Sequence, residues 1–194
     1  MFEGEYLNGK KWTGIGYNGG NRISYEIKQG KGNIVLYDDD ESGIKLRGAY
    51  LNGEINGKVR EFQGGELKFE GEYLNGKRNG KGKEYNFQGN VIFEGEFYLN
   101  HRKKGKEYIK GRLEFEGEFL WDKKWKGKGF DEKGNVIYEL IDGKGTIKEY
   151  VGEYLVYEGE CLDGKRNGKG KEYDHDGNLI FEGEYSMGKK VGKN

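Results

Sequence analysis

The sequence predicts an all-β fold, an elongated and twisted antiparallel meander of about nine β-hairpin repeats in a single sheet. Three observations predict it. The segment Phe69-Glu-Gly-Glu-Tyr-Leu-Asn-Gly-Lys-Arg-Asn-Gly-Lys-Gly-Lys-Glu-Tyr85 recurs, with near copies starting at Phe2, Phe93, Phe115, Tyr157 and Phe181 and weaker ones at Tyr25, Leu46 and Tyr138. Within each copy the residues alternate in kind with the period of two that a strand imposes. Turn-forming Asn and Gly separate the alternating stretches, proline is absent, and no segment shows a helical apolar period.

One unit can be followed residue by residue. Phe69, Gly71 and Tyr73 share one parity and Glu70, Glu72 and Leu74 the other, so rings and glycine fall on one face and acids on the opposite one. Asn75–Gly80 reads as a turn, because Asn and Gly tolerate positive φ. Lys81–Asn86 reads as the returning strand, Phe87–Asn90 as a second turn, and Val91 opens the next unit. Gly71 and Gly82 are expected to leave room for a ring over the backbone. Lys81 and Lys83 then fall beside Glu70 and Glu72, and such cross-strand pairs contribute roughly 0.2–1 kcal/mol each. With 33% hydrophobic and 35% charged residues but 15 Tyr, 10 Phe and 3 Trp, the core is expected to be thin and built of rings.

The repeats occupy residues 1–194 as a single array, with units starting near 2, 25, 46, 69, 93, 115, 138, 157 and 181. Two units, 25–37 and 138–150, are contracted in the same way. Each follows a Trp-x-Gly-x-Gly pattern, at Trp12 and at Trp125. Residues 2–81 and 115–194 therefore read as duplicated halves, and the contracted units are expected to bend the ribbon at two equivalent places. Both ends are blunt, so the chain is expected to be either part of a longer array or covered at an end by a partner, since open strand edges invite pairing with another chain. Self-association, as a dimer or end to end, is the expectation.

Charge and composition exclude several classes. Basic and acidic residues number 34 each, whereas a general nucleic-acid binder carries a basic surplus, so no nucleic acid is expected as partner. No transmembrane segment is expected, since no run of 18 apolar residues exists. Met1-Phe-Glu-Gly-Glu-Tyr6 lacks the basic start and apolar stretch of a signal peptide. Cys161 stands alone, which points to a reducing compartment, cytoplasmic and at most peripheral to a membrane. Gly14–Gly19 spells G-x-G-x-x-G, but a phosphate cradle needs a helix after it. Asp38–Glu41 lacks the ligand spacing of a calcium loop, and His101 and His175 have no Cys or second His at metal-ligand spacing. No catalytic residue, metal or cofactor is expected.

These units resemble the MORN (membrane occupation and recognition nexus) repeat, an aromatic-x-Gly-x-aromatic-x-x-Gly-x-x-x-Gly-x-Gly pattern. Phe69, Gly71, Tyr73, Gly76, Gly80 and Gly82 fall on it in order, as do Phe181, Gly183, Tyr185, Gly188 and Gly192. Phe replaces the family's usual first Tyr, and the units at Tyr25 and Tyr138 lack the full turn. The Gly-Asn-Val-Ile-Phe-Glu-Gly tail resembles a bacterial variant of the repeat, some members of which are labelled antitoxins. The resemblance implies an elongated sheet used as a scaffold or interaction module, often dimeric and linked to acidic membrane lipids.

Two sets of candidate residues follow. Basic pairs at one phase of the repeat, Lys77 and Arg78, Arg102 to Lys104, Lys123 and Lys124, Lys165 and Arg166, should line one edge and could meet acidic phospholipid headgroups. Trp12, Trp121 and Trp125 are the candidate partner-binding residues, since Trp is enriched at binding hot spots. Trp121-Asp122 stands where other units have Asn-Gly, so its ring is expected to face outward. The function expected first is a non-catalytic scaffold that binds a protein partner or itself. A peripheral binder of acidic lipids is the alternative, followed by an antitoxin-like or carbohydrate-binding repeat protein.

Overall fold

A computed structural model describes residues 1–38 and 43–192. Eighteen strands and no helix are found among the described residues. The chain divides into two compact units, Met1–His101 and Arg102–Asn194. The first contains β1 (Phe2–Leu7), β2 (Lys10–Tyr17), β3 (Ile23–Lys28), β4 (Lys31–Tyr37), β5 (Ile44–Leu51), β6 (Glu54–Gln63), β7 (Glu66–Leu74), β8 (Lys77–Tyr85) and β9 (Val91–Tyr98). Each pairs antiparallel with the next, giving a meander. The second continues with β10 (His101–Ile109), β11 (Arg112–Leu120), β12 (Lys123–Phe130), β13 (Val136–Ile141), β14 (Lys144–Val151), β15 (Tyr154–Leu162), β16 (Lys165–Tyr173), β17 (Leu179–Ser186) and β18 (Lys189–Val191). It is a meander of the same kind. The all-β hairpin fold read from the repeat is therefore the fold observed.

The turn differs from the six-residue one expected. Asn75 and Gly76 close it alone, at φ 52° and 74°, and β8 starts at Lys77. Two consecutive positive φ angles match the right-handed twist of the flanking strands, so Asn-Gly suffices. The remaining residues form a bulge instead: Gly71 faces Gly82 but Tyr73 faces Arg78, which leaves extra residues on β8. Gly80 takes φ 101° there, and the Glu72 carboxylate accepts a hydrogen bond from the Lys81 backbone N–H at 3.1 Å.

Glycines face each other across the strands, Gly71 with Gly82 and Gly82 with Gly95 in unit one, Gly159 with Gly170 and Gly170 with Gly183 in unit two. Each cross-strand glycine step makes room for a ring. A Cβ added at Gly82 would lie 2.6 Å from Cζ of Phe69, and one added at Gly170 would lie 2.5 Å from Tyr157. Phe69, Phe93, Phe115 and Tyr157 are fully buried. Rings from neighbouring hairpins meet edge to face, Phe69 with Phe97 at 5.1 Å and Tyr157 with Tyr185 at 5.3 Å. Such pairs add about 0.5–1.5 kcal/mol beyond their buried area.

A single sheet cannot bury its rings against a second layer. Here basic side chains close over them. The Arg78 guanidinium lies 4.2 Å from the Phe69 ring, Arg166 4.3 Å from Tyr157, and Lys190 4.5 Å from Phe181. Carboxylates hold these cations in place. Arg78 makes a two-pronged contact with Glu61 at 2.7 and 2.8 Å and reaches Glu84 at 2.8 Å. Arg166 repeats this with Glu149 at 2.7 Å and Glu172 at 2.5 Å.

The contracted hairpins have their own brace. Glu5 of β1 faces Thr13 of β2 and Tyr6 faces Lys11, so Trp12 is the extra residue of a bulge in β2. Trp125 occupies the same position between Lys124 and Lys126 in β12. A bulge re-aims its side chain. Each indole reaches the next turn, within 2.5 Å of where a Cβ on Gly30 or Gly143 would stand. The Trp12 and Trp125 carbonyls also accept the N–H of Gly30 and Gly143, both at 2.7 Å.

Candidate functional site

The face opposite the rings carries the charged residues, and register arranges them in stripes. Because side chains alternate, every second residue of a strand reaches this face. On β15 these are Glu158 and Glu160, on β16 Lys169 and Lys171, and on β17 Glu182 and Glu184. Lys148 of β14 faces Glu158, Glu158 faces Lys171, and Lys171 faces Glu182. A parallel row is made by Thr146, Lys169 and Glu184. Between the two rows lies the backbone of Gly159, Gly170 and Gly183, where a side chain would point to the ring face.

The result is a groove of about 740 Å³ within unit two. Its walls carry Lys148, Lys169 and Lys171 against Glu158, Glu182 and Glu184, its floor is glycine backbone, and Ile137 stands at one end. The wall charges are paired loosely, with Lys148–Glu158 and Lys171–Glu182 both at 3.7 Å. Glu158 is steadied by the Tyr173 hydroxyl, which donates to it at 2.6 Å. That hydrogen bond, with some burial, pushes the Tyr173 pKa up to about 12. Lys171–Glu182 is exposed and Lys148–Glu158 half-buried; an exposed ion pair of this length contributes little to stability.

The basic pairs expected to form one continuous edge are split by parity. Lys77, Lys123 and Lys165 are exposed, whereas Arg78 and Arg166 are half-buried and Lys124 is buried on the ring face. Lys124 contacts Glu107 at 2.9 Å and Glu114, and Arg102 contacts Glu107 at 2.8 Å. Burial would raise the Glu107 carboxyl, but Lys124 and Arg102 outweigh it and hold the pKa below the usual range. At Glu114 burial wins over Lys124 and the Tyr138 hydroxyl, and its pKa is raised. Lys103 and Lys104 are exposed. The exposed lysines sit beside exposed aliphatics, since Leu74 faces Lys77, Leu120 faces Lys123 and Leu162 faces Lys165.

Of the tryptophans, Trp12 and Trp125 are half-buried against the short turns, and Trp121 is 68% exposed at φ 52° in its own turn. His175 lies exposed beside Asp176. Asp39, Asp40 and Glu41 lie outside the described residues. Among the described residues no cluster of His, Cys, Asp and Glu could hold a metal ion, and no helix is long and apolar enough to cross a membrane. The groove residues are not evident as a site from the sequence alone. The signal was present in Glu-Gly-Glu and Lys-Gly-Lys, but only cross-strand register turns those tripeptides into stripes.

A meander of hairpins with glycine lines, rings on one face and charge stripes on the other defines a β-hairpin repeat protein. A family model for the MORN repeat matches residues 69–91, 157–179 and 181–193. The chain thus carries MORN repeats at three places. The matched segments include β8 and β16, which carry the Arg78 and Arg166 networks. No curated protein matches the chain.

Proposed function

We propose that this chain is a non-catalytic docking module, and that it holds a polypeptide partner in the glycine-floored groove of unit two. The observation that carries this reading is the groove with its evenly divided walls, three lysines against three glutamates. A polyanion such as nucleic acid or an acidic bilayer would meet the glutamates as well as the lysines. A polypeptide can supply both signs, and its backbone can lie along the strand backbone between the two rows.

A charge reversal on the groove wall tests the reading. Affinity capture from the native source is compared for the intact chain and for Lys169→Glu with Lys171→Glu. The expected outcome is a set of co-purifying polypeptides that the double variant loses while its circular dichroism still shows the folded sheet. Equal capture by both would remove the groove as the docking site.

The second reading, a peripheral binder of acidic lipids, is favoured by the exposed Leu–Lys pairs at Leu74, Leu120 and Leu162. Flotation with acidic vesicles at physiological salt separates the two. Docking of polypeptides predicts no enrichment with the vesicles.

A further inference from the structure

The groove described in unit two is built by four consecutive strands, β14–β17. Unit one holds four strands, β6–β9, in the same register, with the same residues at all but two of the wall and floor positions. Arg60 faces Glu70, Glu70 faces Lys83, and Lys83 faces Glu94. The parallel row has Lys58 facing Glu72 and Lys81 facing Glu96. Between the rows lie Gly71, Gly82 and Gly95, each opposite the next. Every one of these positions precedes its unit-two counterpart by 88 residues. Even the brace is kept: the Tyr85 hydroxyl donates to Glu70 at 2.7 Å, as Tyr173 does to Glu158 at 2.6 Å. The wall ion pairs are Arg60–Glu70 at 3.3 Å and Lys83–Glu94 at 3.2 Å.

We propose that unit one carries a second, equivalent docking groove, so that one chain binds two copies of the same class of ligand, an extended polypeptide segment in which an acidic side chain is flanked by basic ones. This rests on the reading of the unit-two groove as a docking site. The charge order argues for that occupant. Four strands ~4.8 Å apart span ~14 Å, which about four residues of an extended chain cover at ~3.3 Å each. The lysine stripe at the centre, Lys169 and Lys171 or Lys81 and Lys83, is bordered by acidic stripes on both sides. The complementary segment therefore has an acid in the middle and a base on either side, as in Lys-x-Glu-x-Lys. Thr146 and Lys148 in unit two are replaced by Lys58 and Arg60 in unit one, which adds positive charge at one end of the second groove without changing the order.

The test uses the full chain and a blocked Lys-Gly-Glu-Gly-Lys peptide as probe, followed by amide chemical shifts in solution. The expected result is that the amides of Gly71, Gly82 and Gly95 and those of Gly159, Gly170 and Gly183 all titrate, with dissociation constants within about threefold of each other. Lys81→Glu with Lys83→Glu should silence the first set alone, and Lys169→Glu with Lys171→Glu the second alone. In each variant the responsive glycines of the other unit report that the protein is folded and competent. Titration of the unit-two glycines only would overturn the second groove and leave docking in unit two standing. No response in either unit would overturn both readings. Equal binding of Glu-Gly-Lys-Gly-Glu would overturn the charge order. Shifts that grow with protein concentration and without probe would make a second copy the occupant, which also overturns the proposal.

Discussion

Arg78 joins more of the structure than any other single side chain in its hairpin. Its guanidinium lies over Phe69 and binds Glu61 and Glu84, while the Tyr73 hydroxyl donates to Glu61 at 2.5 Å. Burial alone would raise the Glu61 carboxyl, yet Arg78 and Tyr73 hold it below the usual carboxylate range. Removing the cation leaves two acids over a ring. Arg78→Ala should therefore lower stability by about 3 kcal/mol, the low end for breaking a buried pair, because a fifth of the side chain still meets water. Arg78→Lys keeps the charge but not the fork and should cost about 1 kcal/mol. Urea midpoints of the two variants check the order. The unit-two cluster makes a pH prediction of opposite signs. Glu107 has a lowered folded pKa, so its stabilisation is present above the unfolded value, about 4.3, and is lost as pH falls through the folded one. Glu114 has a raised folded pKa, so its contribution is present below the unfolded value and is lost as pH rises through the folded one. Glu107→Gln should thus be most harmful at pH 7 and progressively less so toward pH 3. Glu114→Gln should become relatively more stable than the parent as pH rises from 4 to 7. Unfolding midpoints across that range decide both.

At the scale of the hairpin, glycine does two separable jobs. Gly82 has an extended backbone and is needed for space, since a Cβ would strike the Phe69 ring at 2.6 Å. Gly89 has φ 78° and open space around it, so it is needed only for its backbone. Gly82→Ala should cost about 2–3 kcal/mol, the range for overpacking, and Gly89→Ala about 1 kcal/mol, the cost of a left-handed residue. Amide exchange of β7 and β8 in the two variants measures the difference. If both changes cost the same, the ring does not depend on the bare backbone. This element is also where the sequence was most legible. Alternation of Phe69, Gly71 and Tyr73 fixed the ring face, and Glu70 does face Lys83. The expected turn is too long because Asn79-Gly80 resembles a second turn signal, while in the sheet it is a bulge. Placing Arg78 on the lipid edge overlooked its parity with Gly80 and Gly82, which sends it to the ring face. The role of Trp12 and Trp125 was not legible, because a bulge, not the sequence period, aims them at Gly30 and Gly143.

For the molecule as a whole, 34 basic and 34 acidic residues cancel, and the balance is local as well as global. The acids of β7, β9, β15 and β17 stand beside the lysines of β8 and β16. The sequence period announced the array, but the grooves needed the register of four strands, which a one-residue slip would have turned inside out. Such balance separates two responses to salt. Stability comes from buried rings and their covered cations, and the exposed wall pairs contribute only ~0–1 kcal/mol each. Docking in the grooves would instead set exposed charges against exposed charges, at distances where a Debye length of ~10 Å at 0.1 M falls to ~3 Å at 1 M. Raising sodium chloride from 0.05 to 0.5 M should weaken binding of the Lys-Gly-Glu-Gly-Lys probe by about tenfold, while the urea midpoint of the chain barely moves. Binding that strengthens with salt would point to an apolar occupant, held by surfaces such as Ile137 or Trp121 in place of the stripes. A midpoint that falls together with binding would mean that the wall pairs hold the sheet itself, and that the lysines and glutamates of the grooves are not at liberty to engage a partner.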